Sequence, residues 1–135
     1  MQITNTQSGK KELLSFQDPQ KVKLYVCGIT PYDYAHLGHG RCYVTFDVLY
    51  RLLSFLGKDV IYVRNFTDID DKILKKAQEQ LGDRHAYKKI ADTFIAAYTH
   101  DMQQLNCLQP DIEPRVTDTI DAIIAFIQQL VEKGK

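Results

Sequence analysis

The chain has 135 residues, of which 44% are hydrophobic and 25% charged, with 17 Lys and Arg against 17 Asp and Glu. That length and mixture suit one globular domain with a real core and exclude a disordered chain. A net charge of zero supplies no overall field for nucleic acid, so an RNA partner is expected to be held mainly by regions outside these residues.

Residues 2–20 alternate weakly and carry the turn formers Asn5, Ser8, Gly9 and Pro19, which predicts a short extended lead-in or hairpin. Val22, Leu24 and Val26 alternate with Lys21, Lys23 and Tyr25, so the run from Lys21 to Cys27 reads as a strand. A polar loop follows from Gly28 to Asp33, with Pro31 inside it. From Tyr34 to Gly57 the residues Phe46, Leu49, Leu53 and Leu56 fall at helical spacing with Leu52 beside them, and Gly57 is a natural stop. Val60 to Phe66, rich in β-branched and aromatic residues, reads as a second, largely buried strand. Helices are expected from Asp68 to Leu81, from Arg84 to Leu105 and, after the Pro110–Pro114 break, from Thr117 to Lys133. The stripe Ile120, Ile123, Ile124, Ile127 and Leu130 on the last of these is most simply core packing, with part of it expected to be exposed in an isolated half-domain.

Strand, loop, helix and strand in that order form a β-α-β unit with parallel strands and a right-handed crossover, an α/β class. One domain is expected: a lead-in over 1–20, a β-α-β-α unit carrying the motifs over 21–82, and a helical segment over 83–135. Cys27, Cys42 and Cys107 form no short-spaced pair, and no apolar signal core or membrane-length run is present. The expected setting is therefore a reducing one, cytoplasmic and without membrane contact.

In such sheets ligands sit beyond the carboxyl ends of the strands, and both chemistry-bearing loops follow predicted strands. The first is C-G-I-T-P-Y-D-Y-A-H-L-G-H-G, Cys27 to Gly40. His36 and His39 stand three apart on the first turn of a helix, where free N–H groups and the dipole already favour anions. Two imidazoles there suit a polyphosphate, donating hydrogen bonds as charge redistributes, and Gly38 lets a nucleotide approach the backbone. The plainer alternative is a pair of ordinary helix-start histidines. The second loop is Asn65-Phe66-Thr67-Asp68-Ile69-Asp70-Asp71-Lys72. Its aspartates could suggest Mg²⁺, but Asp68 as a helix cap with Asp70 and Asp71 at the positive end explains them better. Lys72, Lys75 and Lys76 share a helix face that could touch RNA, though a solvated face is the simpler reading.

H-L-G-H resembles the H-I-G-H signature of class I aminoacyl-tRNA synthetases. The surrounding Y-V-C-G-I-T-P-Y-D, the later Y-V-R-N-F-T-D-I-D-D-K and L-x-P-D-x-E-P-R at Leu108 to Arg115 resemble the cysteinyl branch of that family, and the likeness runs over nearly the whole chain. The resemblance implies the N-terminal half of a Rossmann-like nucleotide-binding domain. It implies ATP as a substrate with Mg²⁺, cysteine as the amino acid and tRNA(Cys) as acceptor. His36 and His39 would serve the nucleotide; Gly28, Thr30, Gly38, Asn65 and Thr67 would lie around the nucleotide and amino acid; Cys27 would ligate a zinc ion that binds the substrate sulfur. The remaining zinc ligands and the lysine-rich K-M-S-K loop of the family are not in this sequence, so about half of an active site is expected. Cysteine:amino-sugar ligases share C-G-I-T-P-Y-D and H-L-G-H and are a second reading; a non-catalytic remnant is a third. Either way Cys27, Thr30, His36, His39 and Thr67 are expected to converge at one cavity.

Overall fold

In the computed structural model, which describes residues 1–135, the N-terminal turn formers close a hairpin. Strand β1 (Gln2–Asn5) pairs antiparallel with β2 (Lys10–Leu13), and Gly9 takes a positive φ of 68° at the turn. Strand β3 (Lys21–Ile29) pairs in parallel with β4 (Asp59–Phe66). Parallel partners need a crossover, and α1 (Leu37–Phe55) supplies it. Gly57, at φ 76°, then reverses the chain just past the helix end.

The helix begins three residues later than the sequence predicts, because 34–36 stay outside it and His36, in extended backbone, serves as its cap. Its inward face also differs from the predicted stripe. Tyr43, Asp47 and Leu53 are buried, Phe46 and Leu49 are half-buried, and Leu52 and Leu56 are exposed. Asp47 can be buried because it is paired: it accepts from the Leu108 N–H at 2.8 Å and from Arg51 Nε at 2.6 Å.

Along β4 the residues Tyr62, Arg64 and Phe66 face the core, while Ile61 on the other face is exposed. The strand is thus buried on one face rather than throughout. The segment 111–116 runs alongside β4 as a further, Pro-interrupted parallel edge, with Arg64 N–H bonded to the Ile112 carbonyl and Phe66 N–H to the Pro114 carbonyl. One core cluster joins Val26, Ile29, Tyr62 and Phe66 to Tyr43 of α1 and to Tyr98 and Met102 of α3 (Tyr87–Gln104). A second packs α2 (Asp71–Leu81) on α3 through Ile73, Ala77, Ile90, Ala91 and Phe94. A single 3-10 turn at Arg84–Ala86 separates those two helices, where one continuous helix from Arg84 is expected from the sequence.

Helix α4 (Ile120–Glu132) forms as expected but exposes more of its stripe than the part expected. None of its residues is buried, and Ile120, Ile123, Ile124 and Ile127 are exposed rather than packed into the core.

Candidate nucleotide site

His36 is the N-cap of α1 and His39 is its N3 residue. His36 Nδ1 accepts from the Gly38 N–H at 3.1 Å, and His39 Nδ1 accepts from the His36 N–H at 3.2 Å. Together they close a capping box in which imidazoles stand where Ser or Thr and Glu are usual. The rings stack with centroids 3.9 Å apart. Because each Nδ1 accepts, each neutral ring carries its proton on Nε2, leaving one N–H donor per ring for a ligand. Burial, and secondarily the neighbouring His36, lower the His39 pKa and favour that neutral form. Gly38 serves the cap directly: a Cβ there would stand 2.8 Å from His36 Cε1.

The end of β3 is shaped by a bulge. Val26 pairs with Arg64 and Ile29 with Phe66, so three steps on β3 match two on β4. The extra residue turns Ile29 back into the core and delivers the chain to the 30–36 loop. Asn65 holds the bulge: its Oδ1 accepts from the Gly28 N–H and the Tyr25 hydroxyl, both at 2.9 Å, and its Nδ2 donates to Thr67 Oγ1 at 3.2 Å. Gly28 is required by contact, since a Cβ would lie 1.4 Å from the Asn65 carbonyl oxygen. From the core side, the Tyr43 hydroxyl donates to the Cys27 carbonyl at 3.2 Å.

These pieces enclose a cavity of about 450 Å³ lined by Gly28, Ile29, Thr30, Tyr32, Asp33, Tyr34, Ala35, His36, His39 and Lys72. The volume suits a small-molecule ligand. Of the sequence-predicted residues, Gly28, Thr30, His36 and His39 meet here. Thr67 lies at the same strand end, its N–H bonded to the Ile29 carbonyl at 2.9 Å, but does not line the cavity. Asn65 and Gly38 act on the walls rather than in them. Cys27 is exposed beside Gly28. No three His, Cys, Asp or Glu side chains are grouped to hold a metal.

The second loop is used differently from its sequence reading. Asp70, not Asp68, caps α2, accepting from the Lys72 N–H at 2.9 Å. Asp68 is buried and binds Thr117 through its N–H at 3.0 Å and its hydroxyl at 2.6 Å. Lys76 is also not solvated: it pairs with Asp33 at 2.9 Å and sits over the Phe94 ring. Its hydrogen bond, with that of the Tyr34 N–H, holds the Asp33 carboxyl below the usual range. Lys72 as a wall residue is missed by sequence reading, because only the fold brings the start of α2 to the 30–36 loop.

Residues 13–135 match the family model described as tRNA synthetases class I (C) catalytic domain. The chain is 47% identical over 134 residues to the cysteine–tRNA ligase of Trichlorobacter lovleyi, covering 99% of this chain and 27% of that one. It is 49% identical over 135 residues to the cysteine–tRNA ligase of Archaeoglobus fulgidus, covering 28% of it. The chloroplastic/mitochondrial cysteine–tRNA ligase of Arabidopsis thaliana is 49% identical over 132 residues, with 23% of its length covered. The chain thus spans about a quarter of the length of these relatives. A crystal structure described as a putative arginyl-tRNA synthetase from Campylobacter jejuni shares the fold, with TM-score 0.62 and 17% identity over 86% of this chain and 35% of that one. With a family match over almost all of its residues, the chain belongs to the class I tRNA synthetases, in the (C) catalytic-domain family.

Proposed function

We propose that residues 1–135 form the nucleotide-side portion of a cysteine–tRNA ligase. The complete protein activates cysteine with ATP and passes the aminoacyl group to tRNA(Cys). In activation, a cysteine carboxylate oxygen attacks the α-phosphorus, the bond from that phosphorus to the α–β bridging oxygen breaks, and pyrophosphate leaves. The observation that carries this reading is the stacked His36–His39 cap opening on a cavity at the carboxyl ends of parallel strands. Each Nε2–H donates to a phosphate oxygen whose charge grows during displacement, and the cap fixes both rings beforehand. Thr30, on the same wall, and Thr67, held by Asn65, serve the amino-acid side.

Cys27, free and exposed, would supply one soft donor to a zinc ion that binds the substrate sulfur, with the other donors coming from the rest of the complete protein. Asp68 and Asp70 are engaged by Thr117 and the α2 backbone, so Mg²⁺ would be bound by the nucleotide rather than by these carboxylates, offsetting phosphate charge. The neutral net charge supports tRNA contacts made mainly elsewhere, and three free cysteines support a reducing, cytoplasmic setting. No helix is long and apolar enough to cross a membrane.

Open apolar faces support a domain completed by further polypeptide. Tyr25 and Ile61 are exposed on the outer face of the β3–β4 pair, although parallel sheets are ordinarily covered on both faces. Leu37, Val44, Val48, Leu52 and Phe55 form an exposed stripe along α1. The test combines ATP binding with cysteine-dependent ATP–pyrophosphate exchange on the pure 135-residue chain. Binding that is lost in His39→Ala, with exchange near background, is expected, because each absent charge-stabilising group costs about 10²–10³-fold. Rapid exchange would show a complete catalyst, and absence of ATP binding would remove the nucleotide site.

A further inference from the structure

We infer that Lys72 binds the polyphosphate of the ligand in this cavity, supplying the positive charge that the two histidines do not. The inference rests on the nucleotide-site reading and names a residue that reading leaves unused. Lys72 stands in the first turn of α2, a helix packed against α3, yet its side chain lines the cavity built by the 28–36 segment. Its Nζ is 5.0 Å from the centroid of the Tyr32 ring, another wall residue, and that aromatic face steadies the ammonium at the cavity.

The other full charge on the cavity wall is already neutralised. Asp33 is the one carboxylate on the wall, and Lys76 neutralises it at 2.9 Å. Lys75 faces Glu79. Ion pairs in the molecule involve Arg51, Arg64, Lys75, Lys76 and Arg115, and none involves Lys72. The imidazoles of His36 and His39 spend each Nδ1 on the backbone and offer neutral donors. Hydrogen bonds from neutral groups orient a phosphate, but a multiply charged anion leaving water also needs a cation. Lys72 is the one full positive charge on the wall without a counter-charge, and it remains exposed to an incoming anion.

Equilibrium binding of ATP, inorganic tripolyphosphate and AMP to the 135-residue chain tests this, with circular dichroism verifying that each variant folds. Lys72→Gln should weaken ATP and tripolyphosphate roughly tenfold and AMP less than about twofold, and should flatten the dependence of binding on ionic strength. Lys72→Arg should keep polyphosphate binding within about threefold, because the charge survives. Wild-type-like ATP and tripolyphosphate binding by Lys72→Gln, with His39→Ala still impaired, overturns the role of Lys72 and leaves the nucleotide site standing. Failure of the wild-type chain to bind either polyphosphate overturns both.

Discussion

Replacing Glu113 by Ala leaves the Arg64 guanidinium buried without its carboxylate. Arg64 and Glu113 side chains are only 5% and 13% exposed, and one Glu113 oxygen accepts from Arg64 Nε at 3.0 Å and Nη2 at 2.6 Å. Removing one partner of a buried pair costs about 3–5 kcal/mol, mostly the uncompensated charge. Arg64 keeps some electrostatic support, since its guanidinium carbon lies 4.9 Å from the Tyr43 ring centroid and 5.2 Å from that of Tyr98. The expected loss is therefore at the lower end, about 3 kcal/mol. Backbone bonds from β4 to 112 and 114 survive, so the segment should stay docked. With a urea m-value of about 1–3 kcal/mol/M, the unfolding midpoint should fall by about 1–3 M. The double variant Arg64→Met, Glu113→Leu removes both charges at similar volume and should recover most of that loss. A Glu113→Ala midpoint within about 0.2 M of wild type would refute a buried, energetically coupled pair.

Three further perturbations separate the site from its surroundings. Gly28→Ala should destabilise by about 3 kcal/mol or more in thermal unfolding, because its Cβ would overlap the Asn65 carbonyl; Gly57→Ala, in open space at φ 76°, should cost only about 1 kcal/mol. His39 should titrate by NMR below the ordinary imidazole value of about 6.5, and His36→Asn should raise its midpoint part-way, since burial is the larger cause. A depressed folded-state pKa means that this contribution to stability is present above about pH 6.5 and is lost as pH falls through the folded pKa; an undepressed midpoint would remove that linkage. Ile124→Lys with Ile127→Lys should shift the melting temperature of the isolated chain by no more than a degree or two, against the large loss expected of core positions.

Elements whose cause is local were legible from sequence. The alternation of Val22, Leu24 and Val26 gives β3, and Gly57 and Gly82 stop α1 and α2 where positive φ is needed. What stayed hidden depends on partners distant along the chain. Nothing local to Arg64 names the partner that lets it be buried, since Glu113 is 49 positions on. Asp68 reads as a helix cap until Thr117 folds over it. The bulge at Cys27–Gly28 has no periodic signature, yet it decides that Ile29 faces the core and that Asn65 serves as a brace. Helix α4 shows the converse: its apolar spacing predicted the helix correctly, but spacing cannot say what, if anything, covers the stripe.

The H-x-G-H pattern itself follows from the cap geometry. Asn or Asp could accept the Gly38 N–H, and Gln could reach back to the His36 N–H, but imidazole does this with one ring edge and presents a donor on the other. The N-cap and N3 positions fix the spacing of three, and the ring of His36 requires glycine at N2. Leu37 at N1 is 89% exposed and takes no part in the cap. Gly38→Ala is therefore a sharper probe than its stability effect suggests: the helix-propensity gain of up to about 1 kcal/mol offsets a lost cap of similar size. Its signature should be loss of protection of the position-38 amide together with weaker ATP binding. Leu37→Ser should leave both unchanged. Equal ATP binding by wild type and Gly38→Ala would mean that the stacked rings are not what the nucleotide reads.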